Sequence, residues 1–227
     1  MRLSIVIPVY NEQETICELI RQVEAVDQDK EIIIVDDGSS DGSRDLLKKY
    51  EGREGFKVIY QSRNKGKGAA LRAGFEKSDG EIIIVQDADL EYNPKDYSIL
   101  LEPILDGRAD VVYGSRFLGG PHRVLFFWHY LGNMFLTTLS NMVTNLNLSD
   151  METGYKVFRR SILDSFTLKC DRFGFEPEFT SKISRSKLRI YEVPISYNGR
   201  DYSEGKKITW KDGVAALWFI FRFRFFS

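Results

Sequence analysis

The run Glu81–Glu91, EIIIVQDADLE, sets four consecutive β-branched residues, Ile82 to Val85, ahead of two aspartates, Asp87 and Asp89, that flank one alanine. Unbroken Ile/Val of this kind marks a strand buried on both faces, as in a parallel sheet. The signature recurs at Leu3–Val9 (LSIVIPV) and Glu31–Val35 (EIIIV), and in shorter form at Lys57–Tyr60 (KVIY) and Asp110–Tyr113 (DVVY). Helical patterns separate these runs. Glu12–Val26 repeats Ile16, Leu19, Ile20 and Val23 at helical spacing, and Asp41–Tyr50, Gly66–Lys77 and Tyr97–Leu105 follow. Strand–helix alternation predicts an α/β fold, an open and mostly parallel sheet flanked by helices. In such sheets ligands bind beyond the carboxyl ends of the strands.

The chain has 227 residues, 43% hydrophobic and 29% charged, with a formal net charge of −1. That composition excludes disordered, collagenous and disulfide-scaffold classes. Nor does the net charge point to nucleic acid. The charge is unevenly spread, however: residues 1–100 carry 14 basic against 20 acidic side chains, and residues 185–227 carry 9 against 4. A basic end suits anionic lipid or phosphate. The two cysteines, Cys17 and Cys170, are far apart, and the two histidines, His122 and His129, form no zinc motif. No secretory leader is read at the start of the chain, so a reduced, cytosolic-side setting is expected.

Polar, acidic sequence stands at each predicted strand end. The first ends in Pro8-Val9-Tyr10-Asn11-Glu12, the second in Asp36-Asp37-Gly38-Ser39-Ser40-Asp41, the third in Arg63-Asn64-Lys65-Gly66-Lys67-Gly68, the fourth in Asp87-Ala88-Asp89-Leu90-Glu91. Crowded carboxylates repel one another and require a cation or donors. An Asp-Ala-Asp turn after a strand suits a hard divalent ion bridging to substrate phosphates, although such a turn also serves simply to cap a helix. The Gly66/Gly68 loop opens a helix, where backbone and dipole favour anions. It is not GxxxxGK[ST], and no GxGxxG follows the first strand, which argues against a P-loop and against a dinucleotide-dependent dehydrogenase.

Taken in order, SIVIPVYNE, IIIVDDGSSDGS, NKGKGAALRAG, IIIVQDADLE and VVYGSRF resemble the family 2 glycosyltransferases of the GT-A fold. Within them the chain is similar to the polyprenyl-phosphate sugar transferases, the group of dolichyl-phosphate mannose and glucose synthases. The resemblance implies inverting, metal-dependent transfer of a hexose from a UDP- or GDP-sugar to a polyprenyl phosphate. It implies Mg²⁺ or Mn²⁺ held by Asp87 and Asp89, with Glu91 at a position of a further ligand. Pro8, Tyr10, Glu12 and Asp37 match positions that hold the nucleoside; Asp36 is their neighbour of like chemistry, Ala88 lies within the acidic motif, and Lys67 lies in the matching loop. Ser149–Lys156 (SDMETGYK) resembles the family's acidic motif, with Asp150 as base or orienter on the acceptor side.

A phosphate acceptor is already ionised near neutral pH and needs cations more than a base. Arg116, Arg123 and Arg200 are the candidate acceptor-phosphate ligands, and Lys206 and Lys207 sit in a cationic stretch that resembles the family's loop over the diphosphate; Lys206 is expected at the leaving phosphate. Val124–Leu148 contains no Asp, Glu, Lys or Arg, yet is too polar for a comfortable membrane span. Trp128, Leu131, Phe135, Leu139, Met142 and Leu146 fall on one helical face, expected either to pack on the sheet or to touch a bilayer. The tail Val214–Ser227 (VAALWFIFRFRFFS) suits an interfacial anchor, a dimer contact or a cover for the core.

These readings give a glycosyltransferase domain over 1–210, with a nucleotide-sugar half at 1–115 and an acceptor half at 116–210, and an aromatic, basic helix at 211–227. Expected partners are the nucleotide sugar, the lipid phosphate and a membrane surface, with room for a homo-oligomer or an anchoring protein. Two other functions fit fewer residues. One is transfer to a saccharide hydroxyl, which would make Asp150 indispensable as a base. The other is a non-catalytic nucleotide-sugar-binding subunit, which the full acidic set argues against.

Overall fold

The computed structural model describes residues 1–124, 126–172, 174–201 and 210–226. The order of elements is β1 (Leu3–Val9), α1 (Ile16–Glu24), β2 (Lys30–Asp36), α2 (Ser43–Leu47), β3 (Phe56–Tyr60), α3 (Lys67–Glu76), β4 (Ile82–Val85), α4 (Tyr97–Leu105), β5 (Val111–Ser115), α5 (Phe127–Thr144), β6 (Lys156–Arg159), α6 (Phe175–Ile183), β7 (Ile190–Pro194) and α7 (Trp210–Phe225). One seven-stranded sheet runs in the order β3-β2-β1-β4-β6-β5-β7. All neighbours are parallel except β6, which is antiparallel to both β4 and β5.

The Ile/Val runs feed two cores at once because successive side chains leave opposite faces of a strand. Ile5, Ile7, Ile32, Ile34, Ile82 and Ile84 meet α1 and α4 through Leu19, Ile20, Val23, Leu100 and Leu101. Val6, Ile33, Val35, Ile83 and Val85 meet Leu71, Phe75, Phe175, Phe179 and Ile220 on the other face. A helix-sheet-helix sandwich results, and its central strands have no wet side.

Helices begin later than the periodicity predicts. The Glu12 carbonyl accepts from the Thr15 and Ile16 amides in a preceding turn, so α1 starts at Ile16. Gly42 at φ 101° delays α2 to Ser43, and Asp41 holds the turn by accepting from the Ser43 amide and hydroxyl. The five predicted strands are present, but β5 does not extend the parallel series, because β6 lies between it and β4.

α5 is built inside out. Thr137, Ser140 and Thr144 are buried, while Trp128 is 76%, Phe135 55% and Met142 74% exposed. Packing of that apolar face on the sheet is therefore corrected for its exposed residues: the small polar side packs inward together with Leu136, Val143 and Leu146, and Thr137 Oγ1 accepts from the Met151 amide. α7 covers part of the core through Ala216, Ile220 and Phe223 and lies against α5 and α6. Its Val214, Trp218, Phe221 and Phe225 face outward. Among the described residues, no helix is long and apolar enough to cross a membrane.

Candidate active site

The carboxyl ends of β1, β2 and β4 and the start of antiparallel β6 lie together at one end of the sheet. Two backbone loops are tied together at its rim: the Asn11 amide donates to Ser39 Oγ and the Ser40 amide to Asn11 Oδ1. Asp37 holds the loop ahead of α3 by accepting from the Lys65 and Gly66 amides at 2.8 and 2.7 Å. Gly38 permits this approach, since a Cβ there would lie 2.5 Å from the Arg63 carbonyl carbon and its φ is 73°.

Asp36 is a correction to the sequence reading. It is fully buried; Arg44 donates to its Oδ2 at 2.8 and 2.6 Å, and the Ser39 amide donates to Oδ1. It braces the loop instead of facing a nucleoside. Pro8 pairs with Val35 inside the sheet, whereas Tyr10 is 40% exposed at the rim.

Asp87 and Asp89 follow β4 as expected, with Ala88 buried between them. Leu90 takes φ 62°, a strained conformation for a non-glycine residue, and so turns the motif sharply. Lys67, at the first turn of α3, lies 2.8 Å from Asp87 and 3.0 Å from Glu176. These two carboxylates hold its ammonium charged against the penalty of burial. Burial, with the charges of Asp87 and Glu91 beside it, pushes Asp89 up to about 7, and Arg200 pulls the other way.

Arg200 spans the acidic rim. It stands 3.3 Å from Glu12, 3.3 Å from Asp89 and 3.7 Å from Glu91, and its amide donates to Glu91 Oε1. Glu91 Oε2 accepts from the Tyr197 hydroxyl at 2.7 Å. Arg200 thus binds the acidic end of the site in this structure. Arg123 is engaged by Gly199 and Asp201, at 3.3 and 3.4 Å. Lys206 and Lys207 lie outside the described residues.

Arg116 and Asp150 form the other end. Arg116 Nε and Nη2 donate to the two Asp150 oxygens at 2.6 and 2.7 Å, and Asn133 of α5 bonds both partners at 3.1 Å. Burial works against the Arg116 charge, and Asp150 outweighs it. Asp150 is fully buried and is itself positioned by Glu192, which accepts from the Ser149 and Asp150 amides. The Arg116 guanidinium lies 5.3 Å from the Tyr197 ring centre, so this ring separates the basic end from Glu91. Tyr92 joins the two ends from below, accepting from the Gly154 amide at 2.8 Å.

Sequence reasoning missed Glu176, Asn133, Tyr92, Tyr197 and Lys156. Only Asn133, a polar residue in an uncharged helix, carried a local signal. Lys156 is fully buried; it donates to the Met151 and Thr153 carbonyls, lies against the Tyr113 ring, and is lowered by burial to about 8.

Among the described residues, no three His, Cys, Asp or Glu side chains stand close enough to cage a metal. The donor set still fits one that is completed by substrate. Mg²⁺ and Mn²⁺ take hard oxygen ligands, often only one or two carboxylates plus phosphates, and Asp87 and Asp89 supply that pair. Both now face cations, Lys67 and Arg200, which is the charge balance a divalent ion would share. Glu91 lies beside Asp89 and accepts from the Tyr197 hydroxyl and the Arg200 amide.

The chain belongs to glycosyl transferase family 2, whose family model matches residues 4–167. It is 31% identical over 210 residues to the undecaprenyl-phosphate 4-deoxy-4-formamido-L-arabinose transferase of Aeromonas hydrophila subsp. hydrophila. That match covers 90% of this chain, and the chain spans 62% of the length of that relative. Its fold is similar to that of glucosyl-3-phosphoglycerate synthase from Mycobacterium tuberculosis, solved with Mn²⁺, UDP and glucosyl-3-phosphoglycerate. There the TM-score is 0.75 and the identity 20%, with 98% of this chain and 79% of that one covered. The same synthase with Mn²⁺, UDP and phosphoglyceric acid gives a TM-score of 0.77 at 20% identity, covering 100% and 79%. The likeness establishes the GT-A type of fold.

Proposed function

We propose that the protein transfers a hexose, with inversion, from a UDP- or GDP-sugar to a polyprenyl phosphate at the membrane surface. One observation carries the choice of acceptor. Asn133 ties Arg116, the candidate phosphate ligand, to the helix whose Trp128, Leu131 and Phe135 face outward. A lipid lying along that apolar face delivers its phosphate to an arginine already oriented by Asp150.

In the reaction the acceptor phosphate oxygen bonds to the anomeric carbon as the carbon–oxygen bond to the diphosphate breaks. Asp87 and Asp89 would hold a divalent ion, which when bound would supply positive charge at the departing diphosphate. Lys67 fixes Asp87 in place, and Asp37 fixes the loop that leads into α3. Arg116 positions the acceptor. Asp150 spends both oxygens on Arg116, so it orients rather than removes a proton, and an ionised phosphate needs no base.

A donor-by-acceptor screen tests this reading. Purified protein is given UDP- and GDP-hexoses, with and without a short polyprenyl phosphate, in Mn²⁺, Mg²⁺ or EDTA. Metal-dependent release of nucleoside diphosphate that requires the lipid is the expected result. Release with saccharide acceptors alone would overturn the lipid assignment.

A further inference from the structure

The Ser149–Tyr155 loop carries two acidic side chains, Asp150, which pairs with Arg116, and Glu152. Its Oε1 is fully buried and has no hydrogen-bond partner. Buried carboxylate oxygens are paired almost without exception, because desolvation without a donor costs more than most single contacts return. The cations within reach are spent elsewhere. Lys156 donates to the Met151 and Thr153 carbonyls, and Arg116 donates to Asp150 and Asn133. The charges that act on Glu152 include two further carboxylates, Glu176 and Asp150, so an anionic ligand group is disfavoured there.

Its place in the loop indicates what fills the gap. Two residues earlier, Asp150 orients the arginine at the acceptor end. Two residues later, Gly154 lies directly against Asp87 and Tyr92, at the diphosphate end. In a displacement at an anomeric carbon, the group between the attacking phosphate and the leaving diphosphate is the sugar. We infer that Glu152 accepts a hydrogen bond from a hydroxyl of the donor's hexose and helps to select that sugar. The inference rests on the sugar-transfer reading proposed above and extends it to a residue which that reading does not use.

The test compares binding of a nucleoside diphosphate with binding of its hexose ester, in Mn²⁺, for wild type, Glu152→Ala and Glu152→Gln. The alanine variant should bind the plain nucleotide as wild type does and lose about tenfold for the hexose ester, the usual cost of stranding one buried polar contact. The glutamine variant keeps an accepting carbonyl and should stay within about threefold of wild type. A series of monodeoxy donors checks the same contact without relying on the alanine variant's folding. Wild type should lose about tenfold at one ring position, and Glu152→Gln should retain that preference. Equal loss for nucleotide and ester, no loss for either, or no discriminating ring position would each refute the role of Glu152. A wild-type protein that binds neither nucleotide nor ester would instead refute the transfer reading, and this inference with it.

Discussion

Replacing Asp150 with Asn removes the charge facing Arg116 while keeping the side chain's size. Arg116 is then left with Asn133 and one amide oxygen in a pocket where its own side chain is 15% exposed and Asp150 is wholly enclosed. Breaking an enclosed ion pair on one side costs roughly 3–5 kcal/mol. The retained amide contact returns about 1 kcal/mol, so a loss of about 3 kcal/mol is expected. For a chain of this length each kcal/mol shifts Tm by roughly 2–4 °C, giving a fall of about 6–12 °C. Urea denaturation of wild type, Asp150→Asn, Arg116→Met and the double variant measures the coupling directly. The double variant should recover part of the loss. A coupling below about 0.5 kcal/mol, the value of a solvated surface pair, would refute the view that this pair anchors the acceptor end. In the same proteins Asp150→Asn should raise KM for the acceptor more than it lowers kcat; the reverse, with a new pH dependence of kcat, would make Asp150 a base after all.

Gly154→Ala places a Cβ onto Asp87 Oδ2 and 2.9 Å from the Tyr92 ring, so Mn²⁺-dependent nucleotide affinity should drop about tenfold or more, read by calorimetry; unchanged affinity would show that this glycine does not shape the diphosphate end. Burial, reinforced by Glu176, pushes Glu152 up to about 8, against an ordinary carboxylate near 4.5. The unfolded chain therefore sheds this proton at lower pH than the folded one, and stability drains as pH rises between those values. Glu152→Gln should come within about 1 kcal/mol of wild type near pH 5 and exceed it by about 4–5 kcal/mol near pH 8.5, and a pH-independent difference in urea midpoints would contradict the assignment. Phe135→Asp, on the outer face of α5, should leave Tm unchanged and cut partitioning onto anionic vesicles about tenfold; equal sedimentation with vesicles would show that this face is not the contact.

The sequence makes the sheet centre legible because β1, β2 and β4 are buried on both faces and so read as Ile/Val-rich runs. β6 is four residues, KVFR, and its reversal depends on long-range pairing with β4 and β5, which leaves no local trace. The strand-end rule pointed to Asp87, Asp89 and Asp37, which the fold brings to the same end of the sheet. It could not separate Asp36 from Asp37, because only the position of Arg44 decides which of two adjacent carboxylates is sealed. Arg200 was legible as a cation but not as a partner of Glu12, 188 residues away. Periodicity found the apolar stripe of α5; it could not say which side faces the sheet, since Thr137 and Thr144 satisfy their hydroxyls within the helix and loop, and small side chains pack closely.

The insertion of β6 between β4 and β5 has a consequence for biosynthesis. As the chain emerges, β1 to β4 can assemble into a parallel sheet early, but β4 keeps an open edge until β6 has been made, and β5 has no sheet neighbour until then. That edge, all Ile and Val, is the kind that pairs with other chains. The two halves of the molecule are therefore woven together rather than joined end to end. A fragment stopped after β5 would carry an unfinished sheet, which only the second half completes.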